Sequence, residues 1–234
     1  MSEELNPKVA IVDYGMGNLF SVKHAFEHVG MPAFVTSSKE DVLNADAVVL
    51  PGVGAFGDAM CALGDLDLVG PLRDVAASET MLVGICLGMQ LLMTESHEFG
   101  THRGLGVFDG PVVRLDPLSD AGHSLKVPHV GWNRIYASDG LHRNDVGLEA
   151  SPLNGVADGE FMYFVHSYYP VPEDLGVVTS FSRYGDVEFS SSIWRDNVFG
   201  CQFHPERSGP QGLNVYRNLA SMMSHGVESR LGCG

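Results

Sequence analysis

Met81-Leu82-Val83-Gly84-Ile85-Cys86-Leu87-Gly88-Met89-Gln90-Leu91-Leu92 is the stretch whose reading decides the fold. An apolar run, then Gly-x-Cys-x-Gly, then a second apolar run spells strand, sharp turn, helix, with a thiol at the apex. The expectation is that the flanking glycines permit a strained turn and lift the Cys86 side chain above the sheet edge. The helix that follows would aim its free N–H groups and its positive end at the sulfur, favouring thiolate. Such a nucleophile needs a base, and the base needs an orienter. Gln202-Phe203-His204-Pro205-Glu206 offers both. Residues two apart in extended chain leave the same face, and Pro205 restricts the backbone between them. Cys86, His204 and Glu206 are therefore a candidate catalytic triad. A buried cysteine alone is more often a small core residue, and one histidine among ten proves little. The conjunction of elbow, base and carboxylate favours chemistry.

Outward from the elbow, the first half alternates strand and helix signals, which predicts an α/β fold with a mostly parallel central sheet flanked by helices. Val9–Val12 reads as a first strand. Leu19, Val22, Phe26 and Val29 mark a helix face, stopped by Gly30 and Pro32. Ala47–Leu50 is a buried strand, followed by helical segments over 55–64 and 67–79. After residue 104 come β-rich stretches at 105–115, 127–136, 161–169, 176–182 and 187–203, an antiparallel extension. A last helix is predicted over 211–225. Segments 116–126 and 137–160 read as long surface loops, and His97-Glu98 with His102 as a polar helix end, since the H-E-x-x-H zinc spacing is absent. The whole chain, 1–234, reads as one domain with an ordered core of about 8–225.

Composition narrows the class. The chain has 234 residues, of which 44% are hydrophobic and 18% charged, enough to bury a full core. Its four cysteines are spread out, with neither a disulfide framework nor a C-x-x-C metal pair. The formal charge of −15 opposes nucleic-acid binding. No apolar run has membrane-spanning length and the N-terminus is acidic, so a cytoplasmic location is expected. No metal and no cofactor is called for.

Three features keep two readings each. Pro51-Gly52-Val53-Gly54 could present the Val53 N–H as an oxyanion donor beside that of Leu87, or be an ordinary strand-to-helix turn. Gln90 could face a pocket or solvent. Tyr163-Phe164-Val165-His166-Ser167-Tyr168-Tyr169 could line a site or form a mixed edge strand.

Taken together, these residues resemble the class I (triad) glutamine amidotransferases, whose fold is flavodoxin-like. Asp13–Leu19, Leu50–Phe56, Lys126–Asn133 and Phe164–Tyr168 narrow the resemblance to the glutaminase subunits of imidazole glycerol phosphate synthase in histidine biosynthesis. The resemblance implies that Cys86 attacks the side-chain amide of glutamine, with His204 and Glu206 as base and orienter. It implies an oxyanion hole from Val53 and Leu87, and glutamine contacts from Gly52, Gly54, Gln90, Ser167 and Tyr168. It also implies a (β/α)8-barrel cyclase partner in a 1:1 heterodimer, fed with ammonia through its core, with Asn18, Trp132, Tyr163 and Arg207 at the interface. Two alternatives remain. A glutaminase serving another synthase, such as pyridoxal phosphate synthase, fits Gly131-Trp132-Asn133 and Phe164–Tyr168 less well. A flavodoxin-like binding module would have no use for His204-Pro205-Glu206.

Overall fold

In the computed structural model, residues 7–119, 121–138, 148 and 151–232 are described, with side chains up to residue 224. The first half runs β1 (Val9–Val12), α1 (Leu19–His28), β2 (Ala33–Thr36), α2 (Lys39–Asn44), β3 (Ala47–Gly52), α3 (Phe56–Asp65), α4 (Val69–Ala76), β4 (Met81–Cys86) and α5 (Leu87–Leu91). The second half runs β5 (Met93–Ser96), β6 (His102–Arg103), β7 (Phe108–Arg114), β8 (His129–Ala137), β9 (Glu160–His166), β10 (Tyr168–Pro170), β11 (Val178–Tyr184), β12 (Val187–Arg195), β13 (Val198–Cys201) and α6 (Gly209–Gly232).

Nine strands form one sheet in the order β2-β1-β3-β4-β13-β12-β11-β8-β9. The five from β2 to β13 are parallel, and the rest continue antiparallel. β1, β3, β4 and β13 are buried at every position, as parallel strands covered on both faces require. Alternate residues feed two cores. Val9, Ile11 and Val83 pack with Phe26 of α1 and Tyr216 of α6, whereas Ala10, Val12 and Leu82 pack beneath α2 to α5. Phe26 and Tyr216 meet edge to face at 4.7 Å, tying the first and last helices together on one face of the sheet. A second, four-stranded sheet, β10-β7-β5-β6, lies beyond α5. Among the described residues no helix is long and apolar enough to cross a membrane.

The fold departs from the sequence expectations in several places. The short β2 and α2 were not foreseen. The elbow helix has only five residues, because the Leu105 N–H takes the Leu91 carbonyl and the chain turns into β5. His97, Glu98 and His102 are therefore not a helix end but belong to the β5–β6 hairpin. The stretch 187–203 divides at Asp196, whose positive φ of 53° makes the turn, into an antiparallel β12 and a parallel β13. The surface-loop expectation for 137–160 fails at Leu153 and Val156, which are buried in the α6 core. Asn218 of α6 holds that turn by donating to the Pro152 and Asn154 carbonyls. Residues 139–147 and 149–150 of that segment lie outside the described residues. In 116–126, Leu118 bridges to Ser124 and its N–H donates to Asp186.

The elbow glycines also work differently from the expectation. Neither Gly84 nor Gly88 has a positive φ; Cys86 itself carries it, at 55°. Both glycines are needed for close approach. A Cβ on Gly84 would sit 2.8 Å from the Gly88 backbone, and one on Gly88 would fall on the Leu50 carbonyl oxygen of β3. Overpacking a core typically costs about 1–3 kcal/mol, more where the obstacle is backbone. Gly88→Ala should thus lower the melting temperature sharply. Gly64→Ala in α3, where nothing lies within 4 Å, should raise stability by about 0.5–1 kcal/mol. Thermal unfolding of the two variants checks the contrast.

Candidate active site

Neighbouring strand ends deliver the site. β4 lies between β3 and β13 in the sheet, so Cys86, the Val53-Gly54 turn and the chain leaving β13 emerge at one edge, where α/β sheets place their ligands. Cys86 stands at φ 55°, ψ −110°, a conformation that costs a non-glycine residue of order 1–3 kcal/mol and persists only where the surroundings hold it. Its thiol points at the Val165 carbonyl at 3.7 Å, and the Gln202 side-chain amide donates to the sulfur at 3.6 Å.

His204 is fixed on three sides. Its backbone N–H donates to the Tyr163 carbonyl at 2.9 Å, and the His204 carbonyl accepts the Ser208 hydroxyl at 2.7 Å. Its Nδ1–H donates to Glu206 Oε1 at 2.8 Å, both side chains being buried. Pro205 starts a 3-10 turn, Pro205–Arg207, which returns Glu206 beneath the imidazole. The other nitrogen, Nε2, is buried without a hydrogen-bond partner and is the end available to Cys86. Burial pulls the imidazole pKa down, but the Cys86 sulfur and then the Glu206 carboxylate outweigh it and push it up to about 10. The site thus favours a protonated imidazole beside Cys86. Glu206 Oε2 and the Tyr216 hydroxyl are likewise buried without partners; burial, then the Glu206 charge, holds Tyr216 un-ionised.

Beside Cys86 opens a cavity of about 220 Å³, lined by Val53, Gly54, Leu87, Gln90, Ser167 and Tyr168 with Glu98 at one wall. That volume is below the 300–1,000 Å³ typical of drug-sized ligands and suits one amino acid. Of the open readings, Val53, Gln90, Ser167 and Tyr168 border this cavity, while residues 163–166 belong to β9, the edge strand of the large sheet. Gln90 is buried, and its amide donates to the Tyr168 carbonyl at 2.9 Å and to Gln202 Oε1 at 3.0 Å. Gly52 is behind the wall rather than in it: a Cβ there would strike the Tyr14 hydroxyl and lie 3.0 Å from Leu87 Cβ. Gly54 has a φ of 118°, open to glycine alone.

The chain as a whole matches the family model "Glutamine amidotransferase class-I" over residues 10–222. The chain belongs to that family. Within it, this amidotransferase groups with imidazole glycerol phosphate synthase subunits HisH. The one from Syntrophotalea carbinolica is 47% identical over 215 residues, 92% of this chain and 100% of that protein. Those of Geobacter sulfurreducens and Bacillus subtilis are 44% and 43% identical, each over 92% of this chain and 99% and 96% of their own lengths. Among solved structures, PurLQS from Thermotoga maritima aligns at TM-score 0.67 with 18% identity, covering 93% of this chain and 99% of that one. A glutamine amidotransferase structure aligns at TM-score 0.64 with 18% identity, covering 92% and 98%. These structural likenesses concern the fold.

Sequence reasoning had not singled out two residues of the site. Glu98 is held by the Phe56 N–H at 2.6 Å. Its readable signal was the Phe99-Gly100 pair after it, a turn with both φ values positive. Gln202 was visible as the one amide side chain in an apolar strand leading to His204. The surface candidates of the amidotransferase also meet. The Trp132 and Tyr163 rings lie 6.0 Å apart and the Arg207 guanidinium sits 4.5 Å over Tyr163. Asn18 caps α1 by accepting the Ser21 N–H, and α1 packs on the Pro205–Arg207 turn. Trp132 and Val130 are 55% exposed, an apolar patch one hydrogen bond from His204 through the Tyr163 carbonyl.

Proposed function

We propose that this amidotransferase hydrolyses glutamine to glutamate and ammonia with Cys86 as nucleophile, His204 as base and Glu206 as orienter. The ammonia passes to a (β/α)8-barrel cyclase in a 1:1 cytoplasmic heterodimer that makes imidazole glycerol phosphate and an aminoimidazole carboxamide ribonucleotide. The observation that carries this reading is the strained, buried Cys86 with the His204–Glu206 pair in the same site. The 43–47% identity to HisH subunits over nearly the whole chain supports the partner.

The Cys86 thiolate attacks the side-chain carbonyl carbon, and the oxygen gathers the negative charge that the Leu87 and Val53 N–H groups would take up. The C–N bond breaks as His204 gives its Nε2 proton to the leaving nitrogen, releasing ammonia and leaving a glutamyl thioester. His204, now neutral, takes a proton from water, which attacks the thioester and frees glutamate and the thiolate. Glu206 stabilises the imidazolium at each proton transfer. Glu98, the carboxylate of the pocket, complements the substrate ammonium, and the Ser167 hydroxyl its carboxylate. Trp132, Tyr163, Arg207 and the Asn18 end of α1 receive the partner. Ammonia released into water would be protonated and lose its lone pair, which is a reason for a closed channel.

Incubation with an electrophilic glutamine analogue should add one adduct per chain, mapped by mass spectrometry to Cys86 and blocked by glutamine. An adduct at the exposed Cys61, or none, would overturn the assignment. Sedimentation with the purified cyclase should give a 1:1 complex that Trp132→Ala weakens about tenfold or more, as loss of an interface aromatic does.

A further inference from the structure

One wall of the pocket rests on a buried histidine pair that the mechanism does not use. His129 of β8 and His166 of β9 are cross-strand partners, with Nδ1 of His129 at 3.1 Å from Nε2 of His166. His166 Nδ1 lies 3.0 Å from the Tyr168 carbonyl, and Asn133 Nδ2 lies 3.3 Å from His129 Nε2. Asn133 is four residues beyond His129, so both side chains leave the same face of β8.

Every proton in this chain can be placed from its two ends. The Tyr168 carbonyl only accepts, so His166 Nδ1 carries hydrogen, and in the neutral ring Nε2 is bare and must accept. His129 Nδ1 must then be the donor, which leaves His129 Nε2 bare, and its partner must be an N–H. At the far end the Asn133 amide is oriented by backbone groups. Its oxygen accepts the Arg134 N–H at 2.8 Å, and its nitrogen donates to the Arg183 carbonyl at 2.8 Å. That nitrogen is therefore the N–H that His129 requires. The two deductions, made from opposite ends, agree.

Packing holds the rings in place. His129 is stacked on Tyr184 at 4.3 Å and beside Phe164, and His166 lies against Phe189 at 4.9 Å. Burial holds both imidazoles neutral, at about 4 for His129 and, with His129 nearby adding to the effect, about 3 for His166. A second proton on either ring would set N–H against N–H or against the Asn133 amide.

We propose that Asn133, His129 and His166 form a one-way hydrogen-bond relay, each histidine locked as its Nδ1–H tautomer, that positions the Ser167–Tyr168 wall of the glutamine pocket. The relay ends on the Tyr168 carbonyl, which also receives the Gln90 amide, so one oxygen joins the relay to the Gln90–Gln202–Cys86 line. Asn133 and His129 are positioning residues away from the cavity, whereas His166 also lines it, so the relay reaches the pocket wall through His166. The role rests on the reading of the cavity as a glutamine site.

Two measurements test it. Long-range proton–nitrogen NMR of the ¹⁵N-histidine-labelled chain at pH 7, assigned with His129→Asn and His166→Asn, should show both rings with hydrogen on Nδ1 only. Hydrogen on Nε2 of either ring overturns the relay. The second measurement is the glutamine KM of the complex. An asparagine amide can occupy the place of Nδ1 and a glutamine amide that of Nε2, so His129→Asn keeps the donor to His166 and His129→Gln loses it. A buried group left without its partner loses its full desolvation. His129→Gln should raise KM about tenfold with kcat within twofold, and His129→Asn should stay near the parent value. Equal effects of the two variants, or a change confined to kcat, overturn the positioning role. A parent complex without glutaminase activity would overturn the glutamine reading itself, and the NMR result would then judge the relay alone.

Discussion

Cys86→Ala should abolish glutamine-dependent synthesis by the complex while ammonium salt still drives it. Removing the nucleophile of a triad typically lowers kcat by about 10⁴–10⁶, because base and orienter have nothing to activate. The fold should persist: Cys86 is a small buried side chain, and its contacts with the Val165 carbonyl and the Gln202 amide are long and weak. Its φ of 55° is unfavourable for alanine as for cysteine, so little stability changes on that account. Glu206→Gln should cost less than His204→Ala, since a hydrogen-bonding group remains at Nδ1 while the carboxylate charge is lost. The measurement is paired: glutamate release, and product formation with glutamine or with ammonium salt as nitrogen source. Glutamate release at the parent rate in Cys86→Ala would refute the triad. Loss of the ammonium-driven rate as well would mean that this subunit does more than deliver nitrogen.

What the sequence could reveal follows the range of the interactions involved. The elbow, β1, β3 and α1 were legible because their signals are local: continuous apolar runs, helical spacing, and glycines around one cysteine. His204 and Glu206 were legible because Pro205 joins them. β5 and β6 were not, since these four- and two-residue strands owe their existence to pairing, β5 with β7 and β6 with β5, rather than to their own residues. For the same reason Glu98 passed as a helix end. Gly84 and Gly88 were rightly singled out for an incomplete reason; only the packed sheet shows the Leu50 carbonyl where a Cβ would go. His129 and His166 carry no local sign of each other, as only the β8–β9 register brings them together.

Glutaminase turnover should rise by about 10²–10³ when the cyclase partner with its nucleotide docks. An isolated subunit hydrolysing glutamine freely would waste it, and the turn after β3 is the expected place for a gate. Gly54 has a φ of 118°, and Val53, at the pocket, is 43% exposed, so the Gly52–Val53 peptide borders free space on one side. On the other side the Tyr14 hydroxyl holds the Pro51 carbonyl at 2.8 Å and anchors the start of the turn. If this peptide turns its N–H away from the cavity at rest, the Leu87 N–H alone serves the oxyanion, and one missing donor costs about 10²–10³ in rate. The partner must then bind the inward state more tightly by at least the factor gained, about 2.7 kcal/mol for a hundredfold rise. Gly52→Ala is a poor probe, because its Cβ would strike the Tyr14 hydroxyl whichever way the peptide points. Tyr14→Phe is a better one: it releases the Pro51 carbonyl with little change in shape, and should raise the resting rate while leaving the stimulated rate within a few-fold. The assay compares glutamate release by the subunit alone, by the complex, and by the complex with nucleotide. Equal rates in all three would refute gating, and a Tyr14→Phe subunit with unchanged resting rate would move the switch away from this turn.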